Sequence, residues 1–343
     1  MLDKDELICI ASALGFEKAG ICRVEPFTEH YSELHNRVQE GLYPLEIIRH
    51  ERALQNKPCQ IDPSATNPSM KSIIVLAYHY YFDSPTDLTR PGDPHGVIAR
   101  NYMVDAYGEA YRRRDELISE LMKRGVKVVT NVILPLKQAA ISAGIGWQGK
   151  HSLILNKELG SWLVLQSLLI DQEMEPDEPQ KNRCGGCKIC SEACPTGAIK
   201  APGVIDVSKC IDFLTCKTGE IQSNLRERMA NRIISCDRCQ EACPYNRRPR
   251  VTDKQIPKFD PRYRESPALL PLLHLSESEF IKNYSDCDIM DNNLKSFKRN
   301  VIIALGNLMD PVALKQLDKI NDDDPVINET RDWAIDRIRY KNV

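Results

Sequence analysis

Eight cysteines between residues 184 and 243 hold the most specific chemistry of this chain. Cys184, Cys187, Cys190 and Cys194, followed by Pro195, form a C-x2-C-x2-C-x3-C-P run. Cys236, Cys239 and Cys243, followed by Pro244, repeat its last three members, and Cys210 lies between the runs. Four thiolates hold one cubane iron–sulfur cluster, and in two-cluster ferredoxins the fourth cysteine of a run serves the other cluster. The pattern therefore assigns Cys184, Cys187, Cys190 and Cys243 to one [4Fe–4S] cluster, and Cys210, Cys236, Cys239 and Cys194 to a second. Zinc also uses C-x2-C pairs, but it needs neither the C-x3-C-P ending twice nor eight ligands shared crosswise. The chemistry implied is one-electron transfer, with purely structural clusters as the weaker reading.

The bulk of the chain is ordinary. Of its 343 residues, 42% are hydrophobic and 27% charged, as in a globular protein with two or three domains. A formal net charge of -2 gives no global pull toward nucleic acid or membrane. Nucleic-acid binding would need a local patch, for which Arg226, Arg228, Arg232, Arg247, Arg248, Arg250, Lys295, Lys298 and Arg299 are candidates against the blander reading of solvated charges. No apolar run approaches the ~20 residues of a membrane span. The first residues carry acids where a signal peptide needs a basic flank, so a cytoplasmic, reducing location is expected. Cys9, Cys22, Cys59, Cys216 and Cys287 then read as ordinary thiols, with Cys216 doubtful because it lies close to Cys210. No GxGxxG follows a predicted strand, so a Rossmann-bound flavin or nicotinamide is unsupported. The clusters need an external low-potential electron donor, and their acceptor is sought in residues 1–170.

The elements around the cysteines read as an α+β protein. Residues 1–170 form a mixed domain: a helix over Lys4–Leu14, a buried strand over Ser72–Tyr81, a charged helix over Ala106–Arg124 and a short strand over Val126–Ile133. Pro135 opens the next helix, which ends near Ala143 with Gly144 free to take a positive φ. Another buried strand starts near Gly160. The acidic stretch Asp171–Arg183 leads into a ferredoxin-like insert over 171–250. Residues 251–343 are helical in pattern, with two hairpins that each contain an Asp-Pro turn, as in HEAT-type repeats. So few repeats cannot bury a core alone, and the tail should pack on its neighbours.

The order of ALGFEKAGI, SIIVLAYHYY, AGIGWQGKHSLILNKELGSWLVL, CGGCKICSEACPTGAI, KCIDFLT, CDRCQEACPYNR and RNVIIALGN resembles the epoxyqueuosine reductase family along nearly the whole chain. That family comprises cobalamin-dependent iron–sulfur enzymes of queuosine tRNA modification, related to the reductive dehalogenases. The resemblance implies a cobalamin-binding domain, a two-cluster domain and a HEAT-like tail. It implies a substrate in the tRNA anticodon loop, the wobble-position epoxide, reduced to queuosine by cobalamin that the clusters have reduced. The matching cofactor-side residues are Gly144, Gly146, Trp147, Gly149, Lys150, His151 and Ser161. Trp147 lines the corrinoid or is plain core, and the glycines admit the macrocycle or make tight turns. Lys150 and His151 meet corrinoid side chains or phosphate, or are merely solvated or hydrogen-bonded. His151 need not ligate cobalt.

One departure stands out. The family places a proton-donating acid ahead of the glycine motif, and the matching position here is Thr130. No Asp or Glu occurs between Leu121 and Lys157. Removing an epoxide oxygen needs a proton, and general acids contribute about 10²–10⁴-fold. Either another group (Asp105, Tyr107, Tyr102 or Glu109) supplies it, or the chain is a paralogue acting on a different substrate. An electron-transfer protein that reactivates corrinoid proteins is the third possibility.

Overall fold

The computed structural model describes residues 2–44, 62–83, 87–130, 132, 134–247, 256–287 and 289–341. Its strands are β1 (Lys18–Arg23), β2 (Ser72–His79), β3 (Val97–Ile98), β4 (Val128–Val129), β5 (Trp147–Gln148), β6 (Ile154–Leu155), β7 (Leu163–Ile170), β8 (Ile199–Ala201), β9 (Val204–Ile205) and β10 (Arg232–Ile234). The main sheet runs β1-β2-β7-β4, with every pairing antiparallel.

β2 is the centre of this sheet, and every one of its residues is buried. Side chains alternate across a strand, and here both faces are covered. Ile74, Leu76 and Tyr78 enter a core with Leu7 and Ala11 of the Lys4–Ala13 helix and Leu117 and Leu121 of the Ala106–Lys123 helix. Ile73, Val75 and Ala77 enter a second core with Ala139 and Ala140 of the Leu136–Ser142 helix. This explains the unbroken apolar run, SIIVLAYH. Asp3 and Asp105 cap the first two helices by accepting hydrogen bonds from the Glu6 and Gly108 N–H groups, which satisfies donors that a helix start leaves unpaired. Pro135 stands at the N-cap of the third helix, and Gly144 closes it at φ +64°. The strand expected over 126–133 is realised only at Val128–Val129, where pairing with Leu169 and Ile170 ends, and Ile133 lies outside the described residues.

The cysteine-bearing segment is a set of short helical turns (Ile189–Ala193, Ile211–Cys216, Arg238–Glu241) and small hairpins. It is tied to the first part of the chain by parallel pairing of β3 with β10. Ile98, Ala99 and Tyr102 share a core with Ile233, Ile234 and the tail residues Val301, Ile302, Leu305 and Ile338. The tail contains two long helices, Leu294–Leu308 and Pro325–Lys341, joined by short helical turns over 311–317. Its Asp-Pro steps are helix starts rather than hairpin turns. Asp310 and Asp324 accept hydrogen bonds from the Val312 and Val326 N–H groups, and proline suits the first helical position because its missing N–H is not needed there.

Three of the arginines read as candidates for a surface patch are interior instead. Arg299 is 1% exposed and donates to the carbonyls of Gly219 and Leu214. Arg226, also 1% exposed, forms a paired contact with Glu329 at 3.0 and 2.5 Å, and Arg232 is buried within β10. Arg248 and Arg250 lie outside the described residues. The buried ones tie the tail to the cysteine segment. Asn300 joins them by donating to Thr215 O at 2.8 Å and Ile233 O at 3.0 Å. Asn300→Leu strands two buried carbonyls, each costing roughly 1–3 kcal/mol. The expected outcome is a lower unfolding midpoint and weaker iron retention at Cys210, read by thermal unfolding and iron analysis.

Candidate redox site

The eight cysteines fall into two groups of four in space, and the groups cross the sequence runs. Burial, and after it the charges of Cys184 and Cys187, raise the Cys190 thiol pKa. Cys243, from the second run, is raised by burial and by Cys184 and Cys190. Cys239 is pushed well above its usual range by burial and by the charges of Cys210, Cys236 and Cys194. Each set therefore mixes the runs as the ferredoxin pattern requires. Protein burial opposes bare thiolates here, so a positively charged partner is needed to hold them ionised. Among the described residues no group of three or more His, Cys, Asp or Glu side chains is arranged to hold a metal ion. A cavity of about 290 Å³ lies beside the first group, lined by Cys184, Cys187, Cys190, Cys243, Lys150 and His151.

The residues expected on the cofactor side are built into the wall of this segment. Gly144, Gly146 and Gly149 have G-x-G-x-x-G spacing, but they follow a helix and lead into the β5–β6 hairpin. A Cβ on Gly146 would sit 2.1 Å from Leu155 O, and one on Gly149 would meet Leu155 at 2.7 Å and the His151 ring at 2.9 Å. Gly144 lies against the connector at Glu178. Trp147 is buried, packing with Leu155 and Cys243 and standing edge-on to Tyr245 at 5.0 Å. Lys150 donates from Nζ to Cys187 O at 2.7 Å. His151 is 4% exposed, and burial pushes its pKa down to about 4, so the ring is neutral. Ser161 donates to Gln240 Oε1 at 3.0 Å and accepts from Asn246 Nδ2 at 2.8 Å. Gly146→Ala drives a methyl into backbone, a clash costing about 1–3 kcal/mol or more. Circular dichroism melting should show the loss, with iron leaving the first group before the second.

A second contact between sheet and cysteines was not anticipated. Arg100 lies over Tyr81 and Trp162, at 5.6 and 5.2 Å from the ring centres, and donates to Glu241 at 2.8 Å. Its backbone N–H donates to Asp237 at 2.7 Å. Burial raises the Asp237 carboxyl to about 6 despite that hydrogen bond and the Arg100 charge. The only signal in the sequence was that Asp237, Gln240, Glu241 and Asn246 sit between and just after ligand-spaced cysteines.

On the acid side, Thr130 is half-buried just past β4. Asp105 is occupied in capping its helix and pairs with Arg112 at 3.2 Å. For Glu109, burial works to raise its pKa, but hydrogen bonds and charge from Arg112 and Arg113 outweigh it and hold the carboxylate ionised. Tyr102 is buried, whereas Tyr107 is 46% exposed.

Residues 183–246 match a family described as a 4Fe-4S double cluster binding domain. An epoxyqueuosine reductase of Vibrio cholerae is 32% identical over 339 residues, covering 96% of this chain and 90% of that protein. One from Bacillus subtilis is 31% identical, covering 98% and 87%. The fold superposes on a crystal structure of epoxyqueuosine reductase with an epoxyqueuosine-modified tRNA-Tyr stem loop at TM-score 0.86, with 29% identity, 98% of this chain and 90% of that chain. It superposes at 0.87 on a Bacillus subtilis epoxyqueuosine reductase whose catalytic aspartate loop is swung out of the active site, with 28% identity, 98% and 90%. No helix among the described residues is long and apolar enough to cross a membrane. With its double-cluster segment and its full-length relatives, this chain belongs to the epoxyqueuosine reductase family of iron–sulfur oxidoreductases.

Proposed function

We propose that this protein reduces epoxyqueuosine in the tRNA anticodon loop, drawing single electrons through two [4Fe–4S] clusters. Cys184, Cys187, Cys190 and Cys243 hold the first cluster, and Cys194, Cys210, Cys236 and Cys239 the second. The observation that carries this reading is the crosswise grouping of the thiols, set in a chain similar along its length to an enzyme solved with the modified stem loop. The reading divides the chain into a catalytic part (1–170), a cluster part (171–250) and a HEAT-like helical tail (251–343). It also places the protein in the cytoplasm, where tRNA is modified, with an external low-potential donor filling the clusters.

Cobalamin is the cofactor the family resemblance implies for receiving those electrons. The residues expected to seat it also make contacts within the protein. Gly146, Trp147, Lys150 and Ser161 are engaged with Leu155, Cys243, Cys187 and Gln240. Lys150 and His151 of that set also line the neighbouring cavity of about 290 Å³. What these residues do is hold the cluster walls. Lys150 fixes the Cys187 loop, and Ser161 fixes the turn after Cys243 through Asn246.

A second reading, reduction of a different substrate, is favoured by one observation: Thr130 stands where the family carries its acid. Of the alternative donors, Tyr107 is exposed, while Asp105 and Glu109 are committed to Arg112. Two measurements decide. Anaerobically reconstituted protein should bind about eight irons per chain and a corrinoid; failure to bind corrinoid sinks both reductase readings. A deletion strain should accumulate epoxyqueuosine in its tRNA, reversed by the gene. Unchanged tRNA rules out the first reading, and loss of activation of a corrinoid protein in that strain would favour a reactivating role.

A further inference from the structure

The first cysteine group has a neighbour whose chemistry the proposed function leaves unused. His151 borders the same cavity as Cys184, Cys187, Cys190 and Cys243. Its ring orientation is fixed from two sides. Nδ1 accepts a hydrogen bond from the Leu153 N–H at 3.2 Å, and the Cα of Gly149 leaves no room for a Cβ beside Cε1 and Nδ1. With Nδ1 an acceptor, the ring proton of the neutral imidazole must be on Nε2. That N–H is buried and has no hydrogen-bond partner among the described residues. An unmet buried donor costs roughly 1–3 kcal/mol, so a donor retained in this position calls for an acceptor that the described residues do not provide. The other polar groups around the cavity do not compete for the role. Lys150 is engaged with Cys187 O, and Arg183 is exposed at the rim. The Trp147 indole N–H also has no partner among the described residues, but Trp147 is not among the residues that line the cavity.

We infer that His151 donates a hydrogen bond from Nε2 to a sulfur of the first cluster and so raises that cluster's reduction potential relative to the second. This rests on the assignment of that cluster to Cys184, Cys187, Cys190 and Cys243. A bound cluster would carry more negative sulfurs when reduced by the external donor, and His151 Nε2–H would face them. A hydrogen bond to sulfur stabilises that reduced state more than the oxidised one. His151 touches the cofactor and not the substrate, so it acts by setting where the electron rests. Gly149 and the Leu153 N–H act through it as positioning groups.

The test uses reconstituted full-length protein: wild type, His151→Phe and His151→Gln, with iron analysis and potentiometric titration followed by electron paramagnetic resonance. In His151→Phe the reduced-to-oxidised ratio of the first cluster at a fixed potential should fall about tenfold, equivalent to about 59 mV for a one-electron couple. The second cluster should be unmoved. His151→Gln, which keeps an N–H donor, should recover most of the shift. Wild-type protein with 15N-labelled histidine needs no variant: the reduced first cluster should show hyperfine coupling to one imidazole nitrogen and to one exchangeable proton. An unmoved first-cluster potential at full iron content overturns the inference, as does absence of the histidine coupling or an equal shift of both clusters. Failure of the wild type to bind about eight irons would instead sink the cluster assignment itself.

Discussion

Thr130→Asp should raise the rate of epoxide reduction by on the order of 10²–10⁴-fold, the range a positioned general acid contributes. The leaving oxygen needs a proton, and a threonine hydroxyl is too weak an acid to give one near neutral pH. No carboxylate lies between residues 121 and 157 to replace it in sequence. In space, Asp105 caps a helix and pairs with Arg112, and Glu109 is held ionised by Arg112 and Arg113. Thr130 itself is half-buried at the end of β4, where an added carboxyl retains access to solvent. The gain should fade as pH rises through the new carboxyl's pKa, because only its protonated form donates. Steady-state assays of epoxyqueuosine-containing tRNA, run across pH, read both effects. A flat response at every pH, with iron content unchanged, would mean that the missing acid is not limiting and would move the case toward a different substrate.

Cys194→Ala and Cys243→Ala should have opposite consequences to those their positions in sequence suggest. Cys194 closes the first run, yet its side chain is grouped with Cys239, Cys210 and Cys236. Its loss should abolish the second cluster and spare the first. Cys243 closes the second run, yet it is grouped with Cys184 and Cys190, so its loss should abolish the first cluster. Each variant falls from about eight irons to about four, and magnetic resonance of the reduced protein identifies the survivor. Both variants should lose essentially all substrate reduction, since either gap interrupts the electron path. Retention of the second cluster in Cys194→Ala would refute the crosswise assignment.

Much of this site could be read before any fold was known, and the reasons differ by residue. The thiols were legible because ligand spacing is a local property: C-x2-C and C-x3-C-P place sulfurs within a few residues of one another. β2 was legible because a strand covered on both faces must be apolar throughout, and SIIVLAYH is. The helix starting near Ala106 and the positive φ at Gly144 followed from equally local cap and turn chemistry. The interior placement of Arg226, Arg232 and Arg299 escaped the sequence for the opposite reason. Whether Arg226 or Arg299 faces water depends on Glu329 and on the Gly219 and Leu214 carbonyls, which are 80 to 103 residues away. Charge alone reads as surface because buried arginine requires such distant partners. The Asp-Pro steps were ambiguous locally, since the pair suits a turn as well as a helix start.

The sequence by itself determined that this protein handles single electrons and to which family it belongs, because cysteine spacing and ordered motifs survive without knowledge of contacts. The tertiary structure alone decided how the glycine motif packs. Its glycines let β5 and β6 approach and let the His151 ring sit close to the chain at Gly149, while Trp147 and Lys150 brace the first cysteine group. It also placed His151, whose Nε2 has no partner among the described residues, on the cavity beside that group. Close approach and an unmet donor are relations between segments brought together by burial, and no one-dimensional pattern encodes which atoms are left facing each other.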